Sequence, residues 1–266
     1  MRVGLIGFGA MARSLCRLLA IHAPHVQVRK VLVRPGSLST HESLPNGASF
    51  VFSSNELLSE PLDIVVECAG HFALPSIGPA VLSSGTDLLI ASVGALADAT
   101  LEQALYLAGK QGGAKLRLPA GAIGGLDVLG AAKLAGIESV SYSSRKHPNA
   151  WKGTPAERLV DLSALTQPVT FFEGDARSAA LNFPQNANVA ALVALAGIGF
   201  EKTKVLLTAD PSAAGNTHTI HALGSFGEIS LMINGKTLSD NPKTSMLAPL
   251  SMVRCLLNMN ESVVIG

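Results

Sequence analysis

Near the N-terminus the run Gly7-Phe8-Gly9-Ala10-Met11-Ala12 follows an apolar stretch at residues 3–6 and precedes Met11, Leu15, Leu18 and Leu19 at helical spacing. A strand must therefore end in a tight turn and a helix must begin within three or four residues of it. The first glycine permits the turn, the second leaves the backbone open to a pyrophosphate, and the small Ala12 lets helix and strand pack closely. Unpaired N–H groups and the macrodipole at the helix start attract phosphate. Such a pattern alone also occurs in turns that hold no ligand. Its strand-turn-helix setting points to a dinucleotide cofactor, NAD or NADP, on Gly7, Gly9, Ala10, Met11 and Ala12.

The same alternation continues downstream. Strands are expected at residues 28–33, 63–67, 87–91 and 115–118, with helices at 75–82 and 101–109 between them. Strands separated by helices pair in parallel, so residues 1–120 are expected to form one doubly wound α/β domain. The second strand ends at Arg34-Pro35-Gly36, where an acid would favour NAD by accepting from the ribose hydroxyl. A guanidinium there can hold a 2′-phosphate, which admits NADP; a solvated loop arginine is the other reading of Arg34. Loops holding Ala69-Gly70-His71 and Ser92-Val93-Gly94-Ala95 follow two strands and fall at the crevice edge of such a sheet. Ala69 and Gly70 are assigned to the nicotinamide half of the cofactor, and His71 either contacts substrate or starts a helix.

Beyond Pro119 the pattern changes. Gly121, Gly124 and Gly125 read as a flexible junction, after which residues 139–144 alternate small polar with apolar or aromatic side chains. Further strands are expected at 204–208, 217–223 and 228–233, the last running into Asn234-Gly235, a hairpin-type turn signal. With a buried helix at 189–195, residues 121–245 are expected to form an α+β domain. The amphipathic 246–257 stretch is expected as a final helix, within residues 246–266, that packs back on the first domain.

A chain of 266 residues can hold two such cores. Its formal charge of +1 and the absence of any block of like charges argue against nucleic acid and for a small-molecule partner. The three cysteines, Cys16, Cys68 and Cys255, are far apart and lack CxxC spacing, so they read as reduced residues of a cytoplasmic protein. Glycines and arginines interrupt the apolar start, unlike a signal peptide, and the longest apolar run, 189–200, is too short to span a bilayer. Scattered carboxylates offer no metal cluster.

Two histidines fall on one expected strand, in Asn216-Thr217-His218-Thr219-Ile220-His221. Alternation puts His218 on a face with Asn216 and Ile220, and His221 on the opposite face. Spacing leaves His218 as either a catalytic base or a hydrogen-bonded sheet histidine.

The ordered motifs GFGAMA (7–12), LPAGAIGGLD (118–127), RKHPNAWKGTPAE (145–157), FPQNANVAA (183–191) and GNTHTIHALGSFGE (215–228) resemble the L-aspartate dehydrogenase family over nearly the whole chain. The resemblance implies a Rossmann domain joined to an α+β catalytic domain, similar in architecture to dihydrodipicolinate reductase, in a homodimer. It implies oxidation of L-aspartate to iminoaspartate, which water converts to oxaloacetate and ammonia, together with the reverse amination. Iminoaspartate also feeds de novo NAD synthesis. By the same resemblance the catalytic histidine falls on His218, and further cofactor contacts fall on Ala122 and Asn188. His147 stands where the family pattern would have proline. Two substrate carboxylates need basic partners, and Arg145, Lys146 and Lys152 near Trp151 are the candidates, with bidentate geometry favouring Arg145. A dehydrogenase of another small carboxylate, or a non-catalytic dinucleotide sensor, would share the first domain.

Overall fold

Strand β1 (Arg2–Ile6) is buried from Val3 to Ile6, as a parallel strand covered on both faces must be. It sits in the middle of a six-stranded sheet with β2 (Gln27–Leu32), β3 (Ser49–Val51), β4 (Ile64–Glu67), β5 (Asp87–Ile90) and β6 (Leu116–Arg117). All neighbours pair in parallel, in the order β3-β2-β1-β4-β5-β6. That is the doubly wound Rossmann order, whose direction reverses between β1 and β4. The connecting helices are α1 (Ala10–His22), the single turn α2 (Ser54–Leu57), α3 (Leu74–Ser83) and α4 (Ala99–Gly112). Strand β3 has only three residues, Ser-Phe-Val, too few to show a period.

The computed structural model describes residues 1–37, 44–184, 186–238 and 241–264. Its contacts divide the chain into two units: Met1–Val93 with Asp98–Pro119 and the chain from Pro249 onward, and Gly94–Ala97 with Ala120–Ala248.

The second unit contains α5 (Leu126–Ala135), β7 (Ile137–Lys146), β8 (Val169–Asp175), α6 (Ala176–Asn182), α7 (Asn188–Ala196), β9 (Thr203–Ala209), β10 (Asn216–Gly224) and β11 (Gly227–Gly235). Its five strands run in the order β11-β10-β7-β9-β8, with β7 and β9 parallel and the other pairs antiparallel. Val140, Tyr142, Ser144 and Lys146 of β7 share a buried face with Val205 and Leu207 of β9 and with His218, Ile220 and Ala222 of β10. Helices α5, α6 and α7 cover this sheet. A short hairpin, β12 (Thr237–Leu238) and β13 (Asn241–Ser245), leads to the last helix, α8 (Leu247–Asn258). Met252, Val253 and Leu256 of α8 are buried in one core with Val3, Leu5 and Leu15 of the first unit.

Two local expectations are corrected. Asn234-Gly235 makes no turn: both residues continue β11, pairing with Thr217 and Asn216, and the Thr217 hydroxyl donates to Asn234 Oδ1 at 2.8 Å. The hairpin turns at residues 225–226, closed by Gly227 at φ +108°. Cross-strand pairing thus overrides a local turn preference. The 121–125 junction is an ordered turn, in which Ile123 N–H donates to the Ala120 carbonyl and Gly125, at φ +73°, caps α5. Strand β8 and helices α5 and α6 went unmarked because β8 is half-buried on both faces and the helices are short and rich in alanine.

Candidate active site

Helix α1 starts at Ala10 with Gly9 as its cap, no side-chain cap bond and no acid in its first turn. Its leading N–H groups are therefore left for an anion. Gly7 sits at φ +85°, and a Cβ on it would lie 2.8 Å from Ala69, so glycine is needed both for the turn and for the approach of the β4 loop. A Cβ on Gly9 would meet nothing within 4 Å, which leaves open space over the helix start.

A cleft of ≈ 660 Å³ opens there, lined among others by Gly7, Gly9, Arg13, Arg34, Ala69 and Phe72. Four sequence-predicted cofactor residues, Gly7, Gly9, Arg34 and Ala69, thus come together at one rim. Ala10 begins the helix, Met11 packs on the core and Ala12 is fully buried, so these three let α1 approach β1 closely. Volume, open backbone and the exposed guanidinium of Arg34 at the rim fit a nicotinamide dinucleotide.

Beneath the crevice loops lies Glu67, fully buried at the end of β4. Its Oε1 accepts from Ala69 N–H and Gly70 N–H at 2.7 Å and from the Ser92 hydroxyl at 3.1 Å; Oε2 accepts from Ser92 N–H at 3.0 Å. Burial raises its pKa and these hydrogen bonds pull it back. Glu67 therefore staples the loop after β4 to the loop after β5. An acid ending an apolar strand, Ile-Val-Val-Glu, was the legible sign of it.

In the second unit His218 is buried on β10, opposite Ser144 of β7. Its Nδ1 lies 2.7 Å from the hydroxyl of the fully buried Tyr142, and its Nε2 has no hydrogen-bond partner among the described residues. Burial, then the charge of Lys146, lowers its pKa to about 3. Lys146 is itself buried: Nζ donates to Asn186 Oδ1 at 3.3 Å and sits 5.0 Å over the ring of Trp151. Desolvation lowers its pKa to about 8.

Trp151 is held in turn by Phe171 at 4.8 Å and by donation from Nε1 to the Thr208 carbonyl at 3.2 Å. Arg145, one residue before Lys146, points the other way and pairs with buried Asp210 through Nε and Nη2. The fork expected for a substrate carboxylate is thus engaged by a carboxylate of the chain itself. Lys152 is exposed beyond the Trp151 turn. His147, in the place of an expected proline, caps that turn by accepting from Asn149 N–H at 3.2 Å. Asn188 Oδ1 accepts from Gly94 N–H at 2.8 Å, and Ala122 is buried in the turn before α5. Tyr142 and Asn186 were missed by motif reading; strand parity with Lys146 was the available signal for Tyr142.

A Rossmann-ordered sheet with a glycine turn at its crevice, carried on one chain with a buried histidine and lysine, defines the two-unit NAD(P)-dependent oxidoreductases. The profile described as "Homoserine dehydrogenase, NAD binding domain" matches residues 7–119, and that described as "Aspartate dehydrogenase, C-terminal" matches residues 127–259. The L-aspartate dehydrogenase of Cupriavidus necator is 41% identical over 99% of both chains. That of Ralstonia nicotianae is 50% identical over 76% of this chain and 75% of its own. The crystal structure of aspartate dehydrogenase from Thermotoga maritima superposes with a TM-score of 0.76 at 27% identity, covering 100% of this chain and 99% of that one. The chain belongs to the L-aspartate dehydrogenase family. Its cofactor is NAD or NADP.

Proposed function

We propose that the chain oxidises L-aspartate to iminoaspartate, which water converts to oxaloacetate and ammonia, and runs the reverse reductive amination. The observation that carries this reading is the buried His218, whose Nδ1 is held and whose Nε2 has no partner among the described residues, on the same sheet face as a buried ammonium. A cation buried against an amide and a ring, with no carboxylate within salt-bridge distance among the described residues, is suited to an anionic ligand.

The bound nicotinamide supplies the hydride acceptor, and that redox chemistry is the cofactor's. Lys146 pairs with one substrate carboxylate. His218 Nε2 removes a proton from the substrate ammonium, so that the nitrogen lone pair can form the C=N bond. Once that proton has passed to solvent, the neutral imidazole takes a proton from the water that adds to the iminium carbon. With a pKa near 3 the imidazole is neutral but weakly basic. A carboxylate beside Lys146 offsets the nearby positive charge and raises that basicity, which links base strength to substrate binding. Arg145, tied to Asp210, fixes the end of β7 that carries Lys146, and Lys152 adds positive charge beyond it.

The chain is read as a homodimer on the family resemblance; Leu223 and Met232, exposed on the sheet face opposite His218, suit a partner there. Three free cysteines suit the cytoplasm, and supply of iminoaspartate for NAD synthesis is the assigned role. NAD(P)H oxidation with oxaloacetate tests the reaction: turnover is expected only when ammonia is added. Turnover without ammonia would make this a 2-hydroxy-acid dehydrogenase, and none with either would leave a dinucleotide sensor.

A further inference from the structure

Among the described residues the imidazole of His218 has one hydrogen-bonding side-chain partner, Tyr142, which none of the motifs marks. Tyr142 is fully buried on β7, which is paired on both sides, so its backbone cannot shift without breaking the sheet. Its ring lies nearly parallel to the imidazole, at 12° and 6.0 Å between centroids, and its hydroxyl oxygen is 2.7 Å from Nδ1. The phenol stays protonated, because burial raises its pKa and the nearby Ser144 hydroxyl only partly opposes this. Among the described residues Ser144 Oγ has no well-formed hydrogen bond, and it stands directly across the strand pair from His218.

Two arrangements satisfy the short contact. Either Tyr142 donates to Nδ1, and Nε2 carries the ring proton, or Nδ1–H donates to the phenolic oxygen, and Nε2 keeps its lone pair. In the first, the buried Nε2–H would lack an acceptor and Ser144 Oγ would lack a donor. In the second, the phenolic proton is free to turn away from the ring, and Nε2 keeps the lone pair that base catalysis requires. Only the second arrangement avoids burying an Nε2–H donor that has no acceptor among the described residues.

We propose that Tyr142 is a positioning residue for the reaction: it accepts the Nδ1 proton of His218, locks the imidazole in the Nδ1–H tautomer and so presents a basic Nε2. When Nε2 takes a proton the Nδ1–H···O bond persists, so the imidazolium needs no rearrangement. This proposal rests on the reading of His218 as the base.

The test uses the full-length protein. In the ¹⁵N spectrum of the wild type, His218 should show a protonated Nδ1 and an unprotonated Nε2 from pH 6 to 9; a protonated Nε2 over that range would overturn the proposal without any variant. Tyr142→Phe should lower kcat by about 30-fold, less than the ~10²–10⁴-fold that a general base supplies. It should leave the dinucleotide Kd unchanged and mix the two tautomers in the spectrum. Added to His218→Ala, the same substitution should lower kcat no further, because the two residues act as a unit. A Tyr142→Phe protein with wild-type kcat and a single Nδ1–H tautomer would refute the role of Tyr142. Wild-type turnover in His218→Ala would instead refute the reading of the base beneath it.

Discussion

Lys146, the proposed carboxylate partner, also bears on stability. Its pKa in the fold is about 8 against an ordinary 10.5, so the unfolded chain binds more protons between those values. Stability of the parent should therefore rise with pH across that window, and the burial penalty stands in full below about pH 8. Lys146→Met, which removes the titration, should lose its advantage over the parent by on the order of 3 kcal/mol between pH 8 and 10.5. Urea melts of both proteins at the two ends of the window check this; parallel pH profiles would show that Lys146 does not titrate there. The same variant should raise the KM for aspartate at pH 7 by about tenfold or more, the loss of one charge-assisted pair. Lys146, Arg145 and Lys152 were legible as a basic cluster, but which of them is buried was not. Strand parity turns Lys146 inward and Arg145 outward, and the buried Asp210, 64 positions from Lys146 in a separate strand's exit loop, claims Arg145.

At the scale of elements, the β1 turn and α1 were legible because each of their positions has a local backbone reason. The two glycines nevertheless do different work. Gly7→Ala should destabilise the protein by about 2 kcal/mol or more, since φ is +85° and the new Cβ would press on Ala69. Gly9→Ala should leave stability within about 0.5 kcal/mol, as its φ is −79° and its Cβ meets nothing. It should instead weaken dinucleotide binding by roughly tenfold, ~1.4 kcal/mol, by filling the space over the helix start. Denaturant melts and dinucleotide titrations separate the two effects. Loss of stability in Gly9→Ala with unchanged binding would reverse the assignment. Strands β10 and β11 show the limit of local reading, because the Asn234-Gly235 signal yields to nine paired positions of β-ladder. The hydrogen bonds of that ladder outweigh the preference of a single dipeptide.

Over the whole molecule, the last helix completes the first unit's core from the far end of the chain. Leu256 is fully buried with Leu15, Leu19 and Val28. Leu256→Ala should cost about 2–5 kcal/mol and raise the dinucleotide Kd as the first unit loosens, although the residue lies about 250 positions from the glycine turn. Unchanged melting would mean that α8 adds little to that core. Deleting the chain from Pro249 onward should expose the same apolar surface and lower the yield of folded protein.

Turns, helix starts and the alternation of α and β elements depend on neighbours within a few residues, and for that reason the glycine turn and the doubly wound sheet could be read from the chain alone. Ordered motifs likewise carried the family. The state of each site residue depends instead on atoms brought from distant strands. Tyr142 reaches His218 across 76 positions, Asn186 reaches Lys146 across 40, and Glu67 binds Ser92 across 25. Burial and hydrogen-bond partners set protonation, and both come into being only when the sheets close. The glycine turn is written in six consecutive residues; the contact between Tyr142 and His218 exists only after β7 and β10 pair.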